Sequence, residues 1–276
     1  MRGSTVGEAA AWWLGSRVGR VQASTLERDG QVMRCLPAWF LGMDVAGVTG
    51  EDVFAVALGW PGASNTKNRA LVSVKALFRD LAGAGWVESN PAAGVPRPKA
   101  GAPPRAGCAV EWEAVPAVAA AVGARHPAYG DLVMFAAHTG LRWGELAELR
   151  FSDLRAGGAQ VAVSRAVTVG GLVKEPKSGR ARVVPLDGAA RAAVAYRAAG
   201  RGPGDLVFTS PMGERVARRN FTARSGWLEA APGHHPHCLR HCYAVHLLDV
   251  PGVATSDIQR WLGHGSLATT ERYLGS

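Results

Sequence analysis

Nine consecutive residues near the end of the chain, HHPHCLRHC at 234–242, include four histidines and two cysteines. Zinc ligands usually come as two pairs separated by a dozen or more residues. Here Pro236 predicts the start of a helix, on which His237 and His241 share one face. Arg240 lies between them, and a permanent cation beside a divalent metal ion is electrostatically unfavourable. The pattern therefore favours a ligand other than a metal, with zinc binding as the alternative.

His237 and Arg240 are three residues apart, so one helical turn brings them to the same side. A guanidinium group offers two coplanar donors that match two phosphate oxygens, and an imidazole beside it can add another hydrogen bond. The pair predicts a phosphate-binding site. The ordinary alternative for His241 is a core or supporting histidine.

Three other segments carry side chains that could complete such a site. The sequence TGLRWGEL places Arg142 after a helix-ending glycine and Glu145 one turn later, which by itself is typical of a surface ion pair. In PKSGR, Lys177 lies at the tip of a predicted hairpin, where a lysine is ordinarily solvated. The sequences WLGH and TTERY add His264 and Tyr273, whose ordinary roles would be helix capping and packing.

The elements that must position these residues divide into two domains. Residues 89–107 contain five prolines and no sustained apolar period, which indicates an extended linker. We predict an N-terminal domain at 1–95, a linker at 96–107 and a second domain at 108–276. Three pairs in the first domain have the spacing of helix capping boxes: Thr5 and Glu8, Ser24 and Glu27, and Thr49 and Asp52.

A longer helix is predicted over 65–81, because its large apolar residues follow a helical period. Three basic residues lie off this apolar stripe: Lys67, Lys75 and Arg79. They either contact a DNA backbone or form an ordinary solvated face.

The second domain is predicted to be helical at 111–122 and 129–138, with strands at 160–169 and 182–186 joined through a turn at 170–171. Helical patterns return from 189 onward. The predicted fold class is therefore mainly α with a small antiparallel β-sheet (α+β).

Composition narrows the partner and the compartment. The 276-residue chain has a net charge of +9 and an isoelectric point near 9.9, which favours a polyanionic partner. Apolar runs are too short for a membrane span, so we expect a cytoplasmic protein without a membrane partner. Its four cysteines are too few and too unevenly spaced for a disulfide framework, and reduced thiols are expected.

Taken together, the segments TGLRWGEL, PKSGRARVVPL, PHCLRH, LGH and TTERY occur in the order of the tyrosine recombinase (phage integrase) family, which this chain closely resembles. The resemblance is strong over 108–276 and weaker over 1–95. It implies an all-helical core-binding (SAM-like) DNA-binding domain followed by a recombinase catalytic domain. Since the chain begins almost directly with the core-binding pattern, we expect no separate arm-binding domain, which fits a Xer-like or compact mobile-element recombinase. The sequence ends three residues after Tyr273, whereas the family generally carries a further segment that docks on a neighbouring protomer, a departure that concerns tetramer assembly more than phosphate chemistry.

The resemblance implies that Tyr273 attacks a scissile DNA phosphate and forms a 3′-phosphotyrosyl bond. Arg142 and Arg240 would stabilise the charge that develops on the phosphate oxygens. His237 would accept the tyrosine proton, and Lys177 would protonate the departing 5′-oxygen.

Two further roles follow from the same resemblance. His264 would hydrogen-bond the phosphate, while Glu145 and His241 would support the site.

Cys238 and Cys242 occupy positions where the family more often has polar or small side chains. Their proximity to the site leads to the hypothesis that thiol reagents or oxidation inhibit the protein.

The implied activity is site-specific recombination of double-stranded DNA through a Holliday junction, for integration or excision of a mobile element. The alternatives are Xer-like resolution of chromosome or plasmid dimers and a catalytically impaired DNA-binding protein. A type IB topoisomerase-like enzyme would use similar chemistry without partner exchange. We expect a homotetramer on DNA, or a heterotetramer with a related recombinase, and no cofactor, metal or small-molecule substrate.

Overall fold

The computed structural model describes residues 3–98, 110–168, 170–175 and 181–263. The chain divides into two units, Met1–Pro103 and Pro104–Ser276, and this boundary lies within the predicted linker. The predicted fold class is confirmed. Both units are mainly helical, and the strands found in the described residues are antiparallel and belong to the second unit. None of the described helices is long and apolar enough to cross a membrane.

The described part of the first unit is built from helices joined by short loops. Its α-helices are α1 (Val6–Ser16), α2 (Ala23–Arg34), α3 (Ala38–Leu41), α4 (Gly50–Gly59) and α5 (Ser64–Gly83), with a 3-10 turn at Val45–Gly47.

Two of the three predicted capping boxes are confirmed. The Thr5 hydroxyl accepts the Glu8 N–H at 3.2 Å, and the Glu8 carboxylate accepts the Thr5 N–H at 2.8 Å. Thr49 and Asp52 make the same reciprocal pair at the start of α4. The box predicted at Ser24 is wrong, because α2 begins at Ala23 and Ser24 already lies inside its first turn. A residue with helical dihedral angles is not placed to cap the turn to which it belongs.

Helix α5 forms the centre of the first core, and its predicted apolar stripe is confirmed. The stripe residues are all buried: Leu71, Val74, Phe78 and Leu81. A buried polar network fastens α5 to α1 and α2. Asp29 is 1% exposed and accepts from Ser73 Oγ at 2.7 Å and from Arg17 Nη2 at 3.1 Å. The buried carboxylate of Asp29 thus has hydrogen-bond donors and, in Arg17, a counter-charge. Arg17 also donates to Asp80 of α5 at 3.0 Å.

The second unit surrounds a separate hydrophobic core with short helices. Its described α-helices are α6 (Val115–Arg125), α7 (Pro127–Thr139), α8 (Trp143–Ala147), α9 (Gly188–Ala195), α10 (Arg218–Arg224), α11 (Trp227–Ala230), α12 (Cys238–Leu248) and α13 (Thr255–Leu262), with 3-10 turns at Trp112–Ala114, Phe151–Asp153, Ala156–Gly158 and Tyr196–Ala198.

The strands form a three-stranded sheet and a separate hairpin. They are β1 (Leu154–Arg155), β2 (Gln160–Val163), β3 (Ala166–Val167), β4 (Val173–Lys174) and β5 (Arg182–Pro185). The sheet order is β1-β2-β5, with Val161 opposite Val184, while β3 has β4 as its one partner among the described strands. The prediction of one long hairpin is therefore wrong in detail. The strand predicted over 160–169 is interrupted after Val163, and the glycine turn joins β3 to β4.

Two glycines allow α8 to approach its neighbours. Gly140 ends α7 with φ of +59°, and a Cβ there would lie 2.6 Å from the Tyr243 ring. A Cβ on Gly144 would overlap the Val167 carbonyl of β3. Only glycine fits these contacts, which fix the start of α8 between α12 and the hairpin.

Candidate active site

The histidine- and cysteine-rich segment at 234–242 forms the beginning of α12. His237 precedes the helix as its N-terminal flanking residue, so the helix starts two residues later than Pro236 predicts. Arg240 follows one turn on. The rings of His237 and His241 meet edge to face, with centroids 5.2 Å apart. Among the residues that the structure describes, no three His, Cys, Asp or Glu side chains are grouped to hold a metal ion.

Arg240 is a buried cation held between the ends of two helices. The residue is 3% exposed, and its Nη1 and Nη2 atoms donate to the carbonyls of Gly140 and Leu262, each at 2.6 Å. These carbonyls lie at the C-terminal ends of α7 and α13, where the helix dipoles place partial negative charge. Arg240 thus satisfies acceptors that have no partner within their own helices.

Arg142 and Glu145 form more than the surface ion pair that their spacing indicates. The Arg142 N–H donates to Glu145 Oε2 at 2.7 Å, and Arg142 Nη1 donates to Oε1 at 3.1 Å. Arg142 Nη2 reaches the Gly263 carbonyl at 2.9 Å. Glu145 is 3% exposed, whereas 43% of the Arg142 side chain is exposed. The Arg142 side chain therefore remains accessible to a ligand, while its backbone N–H and Nη1 are held by the buried carboxylate of Glu145.

Arg182, which the sequence patterns did not single out, completes this group. It lies in β5, and its Nη1 and Nη2 atoms donate to both oxygens of Glu145 at 2.9 and 2.7 Å. Its Nε atom donates to the Trp261 carbonyl at 2.6 Å. Burial alone raises the pKa of Glu145, but the hydrogen bonds and charges of Arg182 and Arg142 outweigh it and hold the pKa below its ordinary value.

Three arginines bind three successive carbonyls at the end of α13. We call them the arginine cluster: Arg142, Arg182 and Arg240. Arg182 binds that of Trp261, Arg240 that of Leu262 and Arg142 that of Gly263. Together with Glu145 the cluster carries three positive charges and one negative charge, an excess of two. Such an excess suits an anionic ligand beside Arg142, its most exposed member.

His237 and His241 lie in this positive field. The pKa of His237 is lowered to about 4, mainly by burial and then by the nearby His241 and Arg240. Burial also lowers the pKa of His241, with contributions from His235 and Arg240. Both rings are therefore neutral at neutral pH and can accept a hydrogen bond.

The two cysteines of the segment point into the protein core. Cys238 and Cys242 are 0% and 2% exposed, and burial raises the pKa of Cys242 to about 11. A buried thiol that stays protonated is a poor nucleophile. The packing thus argues against the hypothesis that reagents reach these cysteines in the folded protein.

The predicted DNA-contacting residues of the first unit have partners within that unit. Lys67 Nζ donates to the Leu58 carbonyl at 2.7 Å, and Lys75 Nζ donates to two carbonyls of the segment that follows α5. Arg79 pairs with Asp80 while 67% of its side chain stays exposed. Contact of these three residues with DNA stays a prediction.

Three predicted catalytic residues lie outside the described residues: Lys177, His264 and Tyr273. The described site ends at Gly263, the residue immediately before His264.

The fold is mainly helical with small antiparallel sheets, and the site carries an arginine cluster that suits an anionic ligand. A model described as the phage integrase family matches residues 117–276. The chain therefore belongs to the phage integrase family, the tyrosine recombinases.

Individual relatives can be named. Over 223 residues the chain is 35% identical to the tyrosine recombinase XerC of Rhodospirillum centenum, and the alignment covers 75% of this chain and 61% of the relative. XerC of Shewanella amazonensis is also 35% identical, over 142 residues that cover 49% of this chain and 44% of the relative. The chain thus spans between two fifths and two thirds of the length of these relatives.

The fold is similar to that of a solved integrase. The Tn1549 transposon integrase, solved in complex with a circular intermediate DNA, superposes with a TM-score of 0.83 at 19% identity, over 98% of this chain and 95% of that one. At this identity the likeness establishes the fold.

Proposed function

We propose that the protein is a site-specific DNA recombinase that cleaves and rejoins double-stranded DNA through a 3′-phosphotyrosyl intermediate at Tyr273. The observation that carries this proposal is the arginine cluster. Arg142 and Arg240, separated by 98 positions in the sequence, both bind the end of α13, immediately before the segment with His264 and Tyr273. Membership of the tyrosine recombinases supports the same chemistry.

The charges of the cluster suit the reaction. Attack on a phosphodiester places additional negative charge on its non-bridging oxygens, and preorganised cations stabilise that charge more than they stabilise the ground state. Arg142 and Arg240 supply such cations at every pH near neutrality, because a guanidinium does not lose its proton. We assign to these two residues the binding of the scissile phosphate.

His237 is proposed as the acceptor of the Tyr273 proton. A phenol with a pKa of about 10 is protonated at neutral pH and must lose its proton as it attacks. The neutral imidazole of His237 can accept it. The negative charge of a bound phosphate would raise the pKa of His237 towards its ordinary value and make the ring a stronger base. Lys177 and His264 are proposed as the general acid and as a phosphate ligand.

Strand exchange follows from the covalent step. The phosphotyrosyl bond conserves the energy of the phosphodiester, so a second 5′-hydroxyl can attack and reseal the strand without ATP. Four such transfers on two duplexes pass through a Holliday junction and need four active sites. We therefore propose a tetramer on DNA, built from this chain alone or with a related recombinase.

The biological role that we propose is integration or excision of a mobile element. Xer-like resolution of chromosome or plasmid dimers is the second candidate, which the names of the matching relatives, tyrosine recombinases XerC and XerD, favour. Two kinds of substrate separate the roles: one plasmid with two identical sites in direct repeat, and two molecules that carry different sites. Recombination between different sites on separate molecules supports integration, whereas exchange restricted to identical sites in direct repeat supports dimer resolution.

The first unit is proposed to bind the DNA on either side of the cleavage site. Lys67, Lys75 and Arg79 are its candidate contacts, and Arg79 is the most promising because its side chain is largely exposed. A phosphate contact that is lost lowers the dependence of DNA affinity on salt. Replacing Arg79 with alanine should reduce this dependence by about one ion.

Covalent capture tests the central proposal and identifies the DNA site in the same experiment. Purified protein is incubated with fragmented genomic DNA, denatured and recovered, and the attached DNA ends are sequenced. We expect one short sequence to be enriched by the wild type and lost with Tyr273→Phe. DNA binding without attachment would instead favour an impaired DNA-binding protein. Attachment that relaxes supercoils but never yields recombinants would favour a topoisomerase-like enzyme.

A further inference from the structure

Arg182 donates three hydrogen bonds beside the site, and the proposed mechanism does not use it. It lies at the start of β5, with 8% of its side chain exposed. All three guanidinium nitrogens donate: two to the two oxygens of Glu145 and one to the Trp261 carbonyl. An arginine and a carboxylate joined by two parallel hydrogen bonds hold each other in one plane, which a lysine cannot reproduce.

We propose that Arg182 is a positioning residue for DNA cleavage, which orients Arg142 through Glu145 and holds the end of α13 from which the nucleophile segment departs. This inference rests on the proposed function, because it takes Arg142 as a phosphate ligand and Tyr273 as the nucleophile.

The first part of the argument concerns the charge of Arg142. Glu145 has two oxygens, and in the structure each one accepts from both Arg182 and Arg142. The single negative charge is therefore shared between two cations. Without Arg182, the whole carboxylate would be available to Arg142 and would offset its positive charge. The phosphate would then meet a weaker and less firmly oriented cation.

The second part concerns the end of α13. Gly263 ends this helix with φ of +66°, and a Cβ placed there would lie 3.1 Å from Arg182 Cδ and 3.2 Å from its Nε. The arginine is thus packed against the last turn as well as bonded to it. Arg182 therefore contacts both Glu145, the carboxylate that holds Arg142, and the last turn of α13, which ends one residue before His264.

Single substitutions provide the test, with the rate of covalent attachment measured at saturating DNA. The DNA is the captured site, made as a duplex nicked beside the cleavage position. Arg182→Ala should lower the rate roughly 10- to 100-fold, the effect of losing charged hydrogen bonds, with DNA affinity changed less than about threefold. Arg182→Lys keeps the charge but loses the paired geometry, and should give an intermediate rate.

Arg197→Ala is the matched control. Arg197 is similarly buried, with 11% of its side chain exposed, and pairs with Asp131 in the same unit. Its loss should lower thermal stability without a comparable loss of cleavage rate. Equal losses of rate in the two alanine variants would show a general effect of destabilisation and overturn the proposal.

The double variant of Arg182→Ala with Glu145→Gln tests the path of the effect. If Arg182 acts through Glu145, the double variant should cleave within about threefold of the slower single variant. Multiplied effects would overturn the proposal even if each single variant is slow. Wild-type rates for Arg182→Ala and Arg182→Lys would also overturn it, with the recombinase assignment intact. A wild type that never attaches to DNA would contradict the proposed function itself.

Discussion

The substitution Arg240→Lys separates the two tasks assigned to this buried cation. In the structure the guanidinium spans the carbonyls of Gly140 and Leu262, both at 2.6 Å, from a side chain that is almost fully buried. A lysine ammonium keeps the charge but cannot bond both carbonyls in the geometry of the fork. One hydrogen bond to a charged group contributes about 1.5–3 kcal/mol. We expect the free energy of unfolding to fall by that amount.

The cleavage rate should fall much further than stability explains. A domain with about 5–15 kcal/mol of stability remains folded after such a loss. However, the proposed phosphate ligand would lose the position that the two carbonyls give its guanidinium, an effect of about 100-fold on the rate. Urea unfolding gives the first quantity, and covalent attachment to a nicked duplex at saturating DNA gives the second.

The same substitution at Arg197 serves as the control, because it changes a partly buried ion pair that no proposed step uses. We expect Arg197→Lys to lose stability and keep its cleavage rate. The assignment of Arg240 to the phosphate is refuted if Arg240→Lys attaches to DNA within twofold of the wild-type rate while its stability falls as expected.

Three further predictions concern pH, packing and thiols. Since the pKa of His237 is about 4 in the folded protein and about 6.5 when unfolded, the unfolded state binds more protons between these values. The free energy of unfolding, measured with urea, should therefore fall as the pH is lowered from about 6.5 to about 4. It should fall less steeply in His237→Gln. Gly144→Ala, which forces a Cβ onto a β3 carbonyl, should cost about 1–3 kcal/mol, whereas Gly188→Ala, with open space, should not destabilise. Mass spectrometry after brief alkylation should find Cys35 modified and Cys242 unmodified.

Each of these has a clear contrary outcome. Equal pH dependence in the wild type and His237→Gln would show that the pKa of this ring is not depressed in the folded state. Equal stability of the two glycine variants would contradict the close approach of α8 to β3. Rapid alkylation of Cys242 in the native protein would restore the hypothesis of a thiol-sensitive site.

Local sequence signals predicted the parts of the molecule that depend on near neighbours. Thr5 and Glu8 form the capping box that their spacing predicts, and the apolar period of α5 corresponds to a buried stripe. Both features follow from contacts within one or two helical turns. Ser24 has the same spacing signal as Thr5, but α2 starts at Ala23, so Ser24 lies inside the helix and does not cap it.

Contacts between distant segments could not be predicted in the same way. Arg182 meets Glu145 from 37 positions away and Trp261 from 79 positions away. A signal was present, since an arginine that begins an otherwise apolar returning strand needs a buried partner if it faces inward. The sequence did not indicate which face of the strand it occupies. The division of the predicted hairpin into two sheets likewise depends on the packing of β3 against α8.

The most direct test of the proposed chemistry is the identity of the protein–DNA bond. The covalent complex is digested with nuclease and protease, and the modified peptide is sequenced by mass spectrometry. We predict a nucleotide joined through its 3′-phosphate to Tyr273, with no adduct from Tyr273→Phe. A nucleotide on any other side chain, a 5′-phosphate linkage, or an adduct that persists in Tyr273→Phe would contradict it.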